Sequence, residues 1–463
     1  MLLTPDPTFY PSPRMAMLAP AERVAYVVYF NPAMQGRHDG MAVVDVDPSS
    51  TGYGRVVGQV EMPNAGDELH HFGWNACSSA LCPYAPHPHI ERRYLIAPGL
   101  RSSRIHILDT KPDPRSPKVV KVIEPQELAL RASYSRPHTI HCGPDGVYMS
   151  ALGSPDGGGP GGVFLLDHDS FDVLGRFEVD RGPQFFGYDF WWHLGHDAML
   201  TSEWGTPNMI EDGVNPELLL GGKYGRNLHV WDLHKRRHQQ ALDLGPENQM
   251  VLELRPAHDP TQTYGFVGVV VSLKDLSSSI WMWSRANGKW AVEKVIEIPA
   301  EPADPESLPP LLQGFKAVPP LLTDINLSLD DRTLYASCWG TGELRQYDVS
   351  DPRNPKLTGS VHLGGIVRRA AHPSKPGQAL NGGPQMVELS RDGKRVYFTN
   401  SLYRAWDEQF YPEGINGWMV KADAAPGGGM SLDPRFFLEF DGVRPHQVHL
   451  EGGDASSDSY CFP

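Results

Sequence analysis

The chain has 463 residues and a formal net charge of −14. Apolar residues make up 40% of it and charged residues 21%, which is typical of a folded globular protein and excludes a disordered one. The acidic balance, without any run of Lys and Arg, excludes a nucleic-acid-binding protein. The 47 Gly and 43 Pro residues favour many turns and short strands over long helices.

The N-terminal segment MLLTPDPTFYPSPR has neither the basic start nor the apolar stretch of a signal peptide. No segment approaches the apolar length of a membrane span. We therefore expect a cytoplasmic protein, with the periplasm left open. The five cysteines are few and odd in number, which suits a reducing compartment without a disulfide framework. Cys77 and Cys82 have a weak metal-ligand spacing, and ordinary thiols are the favoured interpretation.

A strand, an Asp, a turn and a second strand recur seven times along the chain. The fifth copy has Ser284 where the others have the Asp. A second hairpin precedes several copies, as in TDINLSLDDRTLYASCWG, so that each repeat has four strands. The seven copies are GMAVVDVDP (40–48) and the segments 103–123, 161–179, 226–244, 278–298, 342–361 and 417–436.

Seven four-stranded repeats predict an all-β fold, a seven-bladed β-propeller, because radial repetition leaves few open sheet edges. We expect a single propeller domain over residues 1–463, with the ring closed by the C-terminal segment 437–463. The rival layout is a pair of β-sandwiches. That layout needs a linker between the two halves, and the sequence has none.

Two similar histidine motifs, RPHTIH at 136–141 and RPHQVH at 444–449, each begin an inner strand in this arrangement. The proline of each motif favours an extended conformation for the preceding Arg136 or Arg444. The segment ELHHFGWNAC (68–77) begins the inner strand between them. Three neighbouring blades therefore bring His70 or His71, His138 and His446 to one side of the channel.

Residues three apart on a strand face opposite sides, so His138 and His141 both face the axis only if a bulge lies between them. Neutral imidazole is a ligand for late first-row metals, and such a cluster suits copper or zinc. The alternative is that histidines fall near the axis by chance and are hydrogen-bonded there. Convergence from three adjacent blades favours the metal site.

Landmarks in one order along nearly the whole chain resemble the selenium-binding protein family, whose bacterial members include copper-dependent methanethiol oxidases. The resemblance implies a seven-bladed propeller and a copper centre with histidine ligands. It also implies a small thiol substrate, methanethiol, which O₂ and water convert to formaldehyde, hydrogen sulfide and hydrogen peroxide. The landmarks are DELHHFGWNACSS, PHTIHC, GYDFW, TSEW, NPELLLGGKYG, TDINLSLDDRTLY, LRQYDVSDP, GGPQMVELSRDGKRVYFTNSLY and WDEQFYP.

The family's histidines fall on six positions of this chain. We expect an imidazole that is not bound to copper, His70 or His141, to take a proton from the methyl carbon of the substrate. His449 and His193 occupy positions where family members differ. Vertebrate members carry a cysteine proposed to hold selenium, and Gly54 stands at that position here. Another family cysteine is replaced by Ala455. The implied metal ligands are His71, His138, His446 and His196.

Two other functions stay open at this point. The first is a non-catalytic propeller that binds selenium or a metal, since a fold alone does not establish catalysis. The second is a zinc hydrolase, which is disfavoured because Glu68 is the one acid near the histidines that could activate water. The sequence leaves assembly into a homo-oligomer open.

Overall fold

The computed structural model describes residues 4–83, 88–425 and 427–463, and most of these lie in β-strands or in the turns between them. The strands in chain order are β1 (Val24–Phe30), β2 (Gly40–Asp45), β3 (Val56–Glu61), β4 (Gly73–Trp74), β5 (Tyr94–Pro98), β6 (Ile105–Asp109), β7 (Lys118–Ile123), β8 (Ser135–Gly143), β9 (Gly146–Gly153), β10 (Gly162–Leu166), β11 (Val173–Arg176), β12 (Phe190–His193), β13 (Ala198–Thr201), β14 (Asn227–Asp232), β15 (Arg237–Asp243), β16 (Asn248–Pro256), β17 (Tyr264–Ser272), β18 (Ser278–Ala286), β19 (Lys289–Ile298), β20 (Glu301–Pro302), β21 (Ala317–Val318), β22 (Leu322–Leu327), β23 (Thr333–Cys338), β24 (Glu343–Asp348), β25 (Lys356–His362), β26 (Val387–Leu389), β27 (Arg395–Thr399), β28 (Gly417–Ala424), β29 (Met430–Phe440) and β30 (Arg444–Leu450).

The helices are short and lie in the connections. No helix within the described ranges is long and apolar enough to cross a membrane. The α-helices are α1 (Pro13–Ala16), α2 (Pro125–Ala132), α3 (Pro207–Ile210), α4 (Pro216–Leu220) and α5 (Arg404–Phe410). The 3-10 helices are Ser78–Leu81, Leu194–His196, Pro305–Ser307 and Gln313–Phe315.

Seven antiparallel four-stranded sheets form the blades of a ring. Blade 1 has the strand order β3-β2-β1-β30, and blades 2 to 5 are β4–β7, β8–β11, β12–β15 and β16–β19. Blades 6 and 7 are β22–β25 and β26–β29, while β20 and β21 pair separately. Inner strands of successive blades contact each other, as β4 contacts β8 and β26 contacts β30. The fold is the seven-bladed β-propeller that the repeats predict, and every predicted repeat is the outer hairpin of a blade.

Seven apolar clusters in the described part of the chain lie between neighbouring blades, one for each pair, and two further clusters lie outside these interfaces. Between blades 2 and 3, for example, Ile105 and Ile107 pack with Met149 and Phe164. Middle strands are buried on both faces, whereas outer strands such as β15 alternate exposed and covered residues. Because each sheet buries both faces against its neighbours, the geometry of the ring fixes where the inner strands lie.

The last strand of the chain is the innermost strand of blade 1. β30 pairs antiparallel with β1, with Ala25 opposite Leu450 and Val27 opposite Val448. The residues after β30 then cross the channel end at which the inner strands finish. There the buried Asp458 receives hydrogen bonds from Arg92 and Arg391, each at 2.7 Å.

The inner strands begin with unusual backbone geometry. Arg136 has φ 54°, in the left-handed region, so the extended conformation expected before Pro137 is wrong. Its N–H donates to Ser103 Oγ at 2.8 Å, and its guanidinium pairs with Glu211. These tertiary contacts outweigh the local preference. Left-handed residues also lie at the start of other inner strands, as Met250 does within β16 and Leu321 does directly before β22, so this geometry belongs to the fold.

A bulge lies within β8 between the two histidines of the first motif. Pro137 pairs with Ala151 and Ile140 with Met149, so three steps on β8 oppose two on β9. β30 has the same shift, since Pro445 pairs with Tyr29 and Val448 with Val27. The extra residue lets Pro137 and Ile140 face the same side of β8 although they are three residues apart. Pro445 and Val448 of β30 are related in the same way.

Candidate metal centre

Four imidazoles from three neighbouring blades meet at the end of the channel where the inner strands begin. Ring centroids are 3.6 Å apart for His70 and His446, and 4.0 Å apart for His71 and His138. The separations are 4.9 Å for His70–His71, 5.0 Å for His70–His138 and 5.4 Å for His71–His446. All four rings are at most 2% exposed. The structure thus brings both members of the His-His pair into one cluster with His138 and His446.

Each ring of this cluster keeps one buried nitrogen without a hydrogen-bond partner. These atoms are Nδ1 of His70 and Nε2 of His71, His138 and His446. Donor nitrogens of His70, His71 and His446 all lie within 4.8 Å of one another. Buried polar atoms are nearly always paired, so four orphan nitrogens in one place indicate that a bound group satisfies them. The donor set fits a late first-row metal ion.

Two of the rings are oriented by hydrogen bonds on their other nitrogen. Nδ1 of His446 donates to the carbonyl oxygen of Ser401 at 2.9 Å. Nδ1 of His138 lies 3.1 Å from the hydroxyl oxygen of Thr139. The carbonyl partner fixes the tautomer of His446 and leaves a lone pair on its Nε2, which is the usual arrangement behind metal-binding histidines. The hydroxyl of Thr139 can accept from His138 in the same way.

Burial keeps the cluster uncharged. It lowers the pKa of His446 to about 3, and it lowers the pKa values of His70, His71 and His138 well below the usual range. Neighbouring imidazoles add to the effect for the last three, since a second positive charge nearby is unfavourable. The neutral imidazole is the form that binds a metal, so the environment prepares the rings as ligands.

A cavity of about 20 Å³ lies below the cluster along the channel, with His71 and His141 in its wall. This volume accommodates roughly one water-sized molecule. His141 reaches the cavity because of the bulge in β8, and its ring packs 3.9 Å from that of Trp191. Its Nε2 is buried without a partner, and burial lowers its pKa well below the usual range. A neutral imidazole with a free nitrogen therefore faces the space beside His71.

His196 does not join the cluster in the structure. It ends the 3-10 helix that follows β12, at the opposite end of an inner strand from the residues that begin it. Its ring lies 4.7 Å from that of His193, and Nη1 of Arg285 is 3.0 Å from its Nδ1. The sequence assigned it to the ligands by family position alone, and the blade geometry separates it from the other three.

Carboxylates line the other side of the channel, and the sequence did not predict them. Glu253 Oε1 lies 3.8 Å from Nε2 of His71 and accepts a hydrogen bond of 3.0 Å from the hydroxyl of Tyr188. Arg255 pairs with Glu253 at 3.1 Å and with Asp324 at 3.2 Å. Glu253 is thus the acid closest to the imidazoles among the ion pairs of the described residues. It comes from β16, and the sequence of this strand matches the other inner strands too poorly for its residues to be placed in advance.

The second histidine of the C-terminal motif has a different environment from the first. His449 Nδ1 lies 2.9 Å from Asp454 and 3.6 Å from Glu388, and Nε2 lies 2.9 Å from the carbonyl oxygen of Phe72. Burial opposes its charge, but the Asp454 carboxylate outweighs burial and raises the pKa of His449. These three residues could also surround a cation. Since both ring nitrogens of His449 are hydrogen-bonded, the group is already satisfied as an ion pair.

Aromatic residues cover the outer side of the cluster. The ring of Tyr188 lies 4.3 Å from His138, and the ring of Tyr403 lies 5.9 Å from His70. Trp204 packs on both tyrosines, at 5.4 Å and 6.0 Å. All belong to a buried apolar cluster that includes α5. The site is therefore shielded from water on this side, which strengthens interactions between charged groups inside it.

Comparison with known proteins identifies the family. A family model described as 56 kDa selenium binding protein (SBP56) matches residues 3–461. The X-ray structure of a hypothetical selenium-binding protein from Sulfolobus tokodaii is 60% identical, with a TM-score of 0.96, and the match covers 99% of this chain and 100% of that one. A methanethiol oxidase of Xenopus laevis is 41% identical over 477 residues, and selenium-binding protein 2 of Mus musculus is 40% identical over 477 residues; both matches cover 97% of each chain. The chain belongs to the 56 kDa selenium-binding protein family.

Proposed function

We propose that this protein is a copper-dependent methanethiol oxidase, which converts methanethiol, O₂ and water to formaldehyde, hydrogen sulfide and hydrogen peroxide. The observation that carries the proposal is the convergence of four unpartnered imidazole nitrogens above a cavity of about 20 Å³. The name of the Xenopus laevis relative supports the same activity. Zinc has the right ligands but no redox chemistry, so an oxidase favours copper.

The residues that would hold the metal are His70, His71, His138 and His446. Sequence analysis names His70 as one of two candidates for the proton-accepting imidazole. Its orphan Nδ1, within 4.8 Å of donor nitrogens of His71 and His446, suits a ligand better, and we assign it as one. His196 is left out because its contacts lie at the other end of β12. When bound, copper acidifies the thiol of the substrate and accepts electrons from it.

His141 and Glu253 hold the two protons that the substrate gives up. Nε2 of His141 faces the cavity without a partner and takes a proton from the methyl carbon. Glu253, 3.8 Å from His71 Nε2, takes the thiol proton. Both protons, together with the two electrons that the substrate loses, would then pass to O₂, which leaves as hydrogen peroxide. Water adds to the thioformaldehyde that remains and releases formaldehyde and hydrogen sulfide, so atoms and electrons balance.

The cavity wall selects a small substrate. Trp191, Ile140 and Trp74 supply apolar surface beside His141, which suits a methyl group. Arg255 holds Glu253 in place through its ion pair at 3.1 Å and stacks over Trp191 at 5.7 Å. A longer alkyl chain would have to displace one of these buried side chains.

A selenium-binding protein without catalysis is the second candidate, and the name of the mouse relative supports it. The cysteine proposed to hold selenium in vertebrate members is Gly54 here. Gly54 has φ 71°, and an added Cβ would lie 3.2 Å from the carbonyl oxygen of Arg435. A side chain at this position would be strained by the left-handed backbone and crowded by Arg435, so Gly54 does not supply a selenium-binding thiol.

The experiment that tests the proposal is elemental analysis of protein purified without added metal, together with peroxide and sulfide assays on methanethiol. We expect bound copper and the formation of both products. A copper-loaded protein that forms neither product would refute the oxidase. A His71→Ala/His138→Ala/His446→Ala variant tests the second candidate. If this variant loses the metal but still restores the phenotype of cells that lack the protein, the binding protein is favoured.

A further inference from the structure

Two buried cysteines meet beside the channel, at the boundary between blades 2 and 3. Cys77 directly precedes the 3-10 helix Ser78–Leu81, and Cys142 lies on β8 directly after His141. Cys77 Sγ lies 3.8 Å from the carbonyl oxygen of Cys142, and the two thiols are near enough to shift each other's pKa. Both are at most 3% exposed. A cysteine whose sulfur lies this close to the backbone of a second cysteine can reach its thiol after a small movement.

The surroundings of the pair give the two thiols different pKa values. Hydrogen bonds from Cys142 and from the hydroxyl of Ser79, 2.8 Å away, lower the pKa of Cys77 to about 7. The buried guanidinium of Arg92 lies near enough to interact with its charge. The bond with Cys77, together with burial, raises the pKa of Cys142 well above the usual range. Cys77 is therefore the nucleophile of the pair and Cys142 the resolving thiol.

The pair lies between the cavity and the protein surface. Trp74 and His141, three residues and one residue before the two cysteines, are part of the cavity wall. On the other side, Cys142 Sγ lies 3.7 Å from Nε2 of His168, which is partly exposed on the turn between β10 and β11.

We propose that Cys77 and Cys142 are a peroxide-responsive dithiol that closes to a disulfide. The Cys77 thiolate attacks one oxygen of hydrogen peroxide, the O–O bond breaks, and the leaving hydroxide takes a proton to become water. Cys77 is then a sulfenic acid. The sulfur of Cys142 displaces hydroxide from it, and the Cys142 proton completes the second water. Two thiols and one peroxide thus give one disulfide and two waters.

The proposal rests on the proposed function only for the origin of the peroxide, because an oxidase would release it next to these thiols. The disulfide would tie the segment after β4 to β8, the strand that carries His138 and His141. Accumulated product would in this way act on the strand that supplies two residues of the site.

The test uses the metal-free wild-type protein, so that it is independent of any oxidase activity. The protein is treated with excess hydrogen peroxide, its remaining thiols are alkylated under denaturing conditions, and the digest is analysed by mass spectrometry. We expect the peptides of Cys77 and Cys142 to be joined with the loss of two hydrogens. Cys338 is the internal control, because it is fully buried in β23 and burial raises its pKa to about 12, so it should stay a free thiol.

Two variants show which thiol reacts with peroxide and which one then closes the disulfide. In Cys142→Ser, Cys77 should stop at the sulfenic acid and react with dimedone, whereas in Cys77→Ser, Cys142 should be alkylated as fully as Cys338. Far-UV circular dichroism checks that both variants are folded, and the wild-type result does not depend on them. Wild-type protein in which both thiols remain alkylated, or in which Cys77 is overoxidised without a crosslink, would overturn the proposal. A crosslink with added peroxide, together with no peroxide or sulfide formed from methanethiol by the copper-loaded protein, would support the dithiol and contradict the oxidase.

Discussion

Replacing Glu253 with Gln tests the proton chemistry assigned to the carboxylate side of the channel. The amide keeps the shape of the side chain and its contact with the Tyr188 hydroxyl, which now lies 3.0 Å from Oε1. It removes the negative charge 3.8 Å from Nε2 of His71 and the ability to take a proton. The four imidazoles are untouched, so copper content should stay at the wild-type level.

The expected size of the effect follows from the partners that remain. Arg255 loses its 3.1 Å ion pair with Glu253 but keeps Asp324 at 3.2 Å and Asp189 at 3.6 Å. The variant should therefore lose only about 1–2 kcal/mol of stability, less than the 3–5 kcal/mol typical of an isolated buried charge. Loss of a general acid–base group lowers kcat by roughly 10²-fold to 10⁴-fold. We expect about 10²-fold here, since His141 still takes the other proton.

The assay combines copper content, thermal unfolding and the initial rates of peroxide and sulfide formation. Glu388→Gln is the matched control, because Glu388 is another buried glutamate of the channel and burial raises its pKa to about 8. Its carboxyl is therefore mostly protonated at neutral pH, so the amide resembles the native group and the rate should change little. Glu253→Gln protein with full copper and wild-type kcat would refute the proton role, and loss of copper would make Glu253 a ligand instead.

Three further predictions concern the imidazoles and the cavity. His138→Ala and His446→Ala should each bind less copper than wild type, whereas His196→Ala should bind the wild-type amount; elemental analysis decides, and equal losses in all three would contradict the assignment. Burial lowers the pKa of His446 to about 3 in the folded protein, against about 6.5 in the unfolded chain. Below pH 6.5 the unfolded chain binds a proton that the folded protein does not bind. The free energy of unfolding therefore falls by about 1.4 kcal/mol per pH unit as the pH drops from 6.5 toward 3. Urea unfolding of the metal-free proteins measures this, and the free energy of unfolding of His446→Gln should fall less steeply with decreasing pH than that of the wild type. Parallel plots of this free energy against pH for the two proteins would contradict the prediction. Trp191→Phe should widen the cavity and lower the preference in kcat/KM for methanethiol over ethanethiol by about 10-fold, and an unchanged ratio would show that another residue limits substrate size.

The fold could be predicted from sequence because a seven-bladed propeller repeats one sequence pattern seven times. Each outer hairpin repeats a strand, a turn and a strand, and several end on Asp, such as Asp109 of β6 and Asp348 of β24. No single copy is a strong signal, but seven copies along one chain are. The local backbone was less predictable. Arg136 adopts a left-handed conformation before a proline because contacts with Ser103 and Glu211, distant in sequence, hold it there.

One half of the site could be predicted from sequence and the other could not. The histidines lie in two related motifs and a His-His pair, and the order of the blades places them together. Glu253 and Asp324 come from blades 5 and 6, where no shared motif marks them. The closeness of Glu253 to His71, and of Asp324 to Arg255 beside it, is a property of the ring and appears only when the blades around the channel face each other. Family position suggested His196, but the direction of β12 carries it to the other end.

Closure of the ring and assembly of the candidate site are the same structural event. His446 lies on β30, which completes blade 1 only when the end of the chain pairs with β1. Until then His70, His71 and His138 lack the ring that stacks at 3.6 Å on His70, and the cavity lacks the wall that His449 supplies. A metal that binds all four imidazoles therefore binds only the closed ring, and by linkage it stabilises the junction between the two ends of the chain. The seven interblade clusters hold the blades together, and the proposed copper would add a bond at the place where the ring is joined.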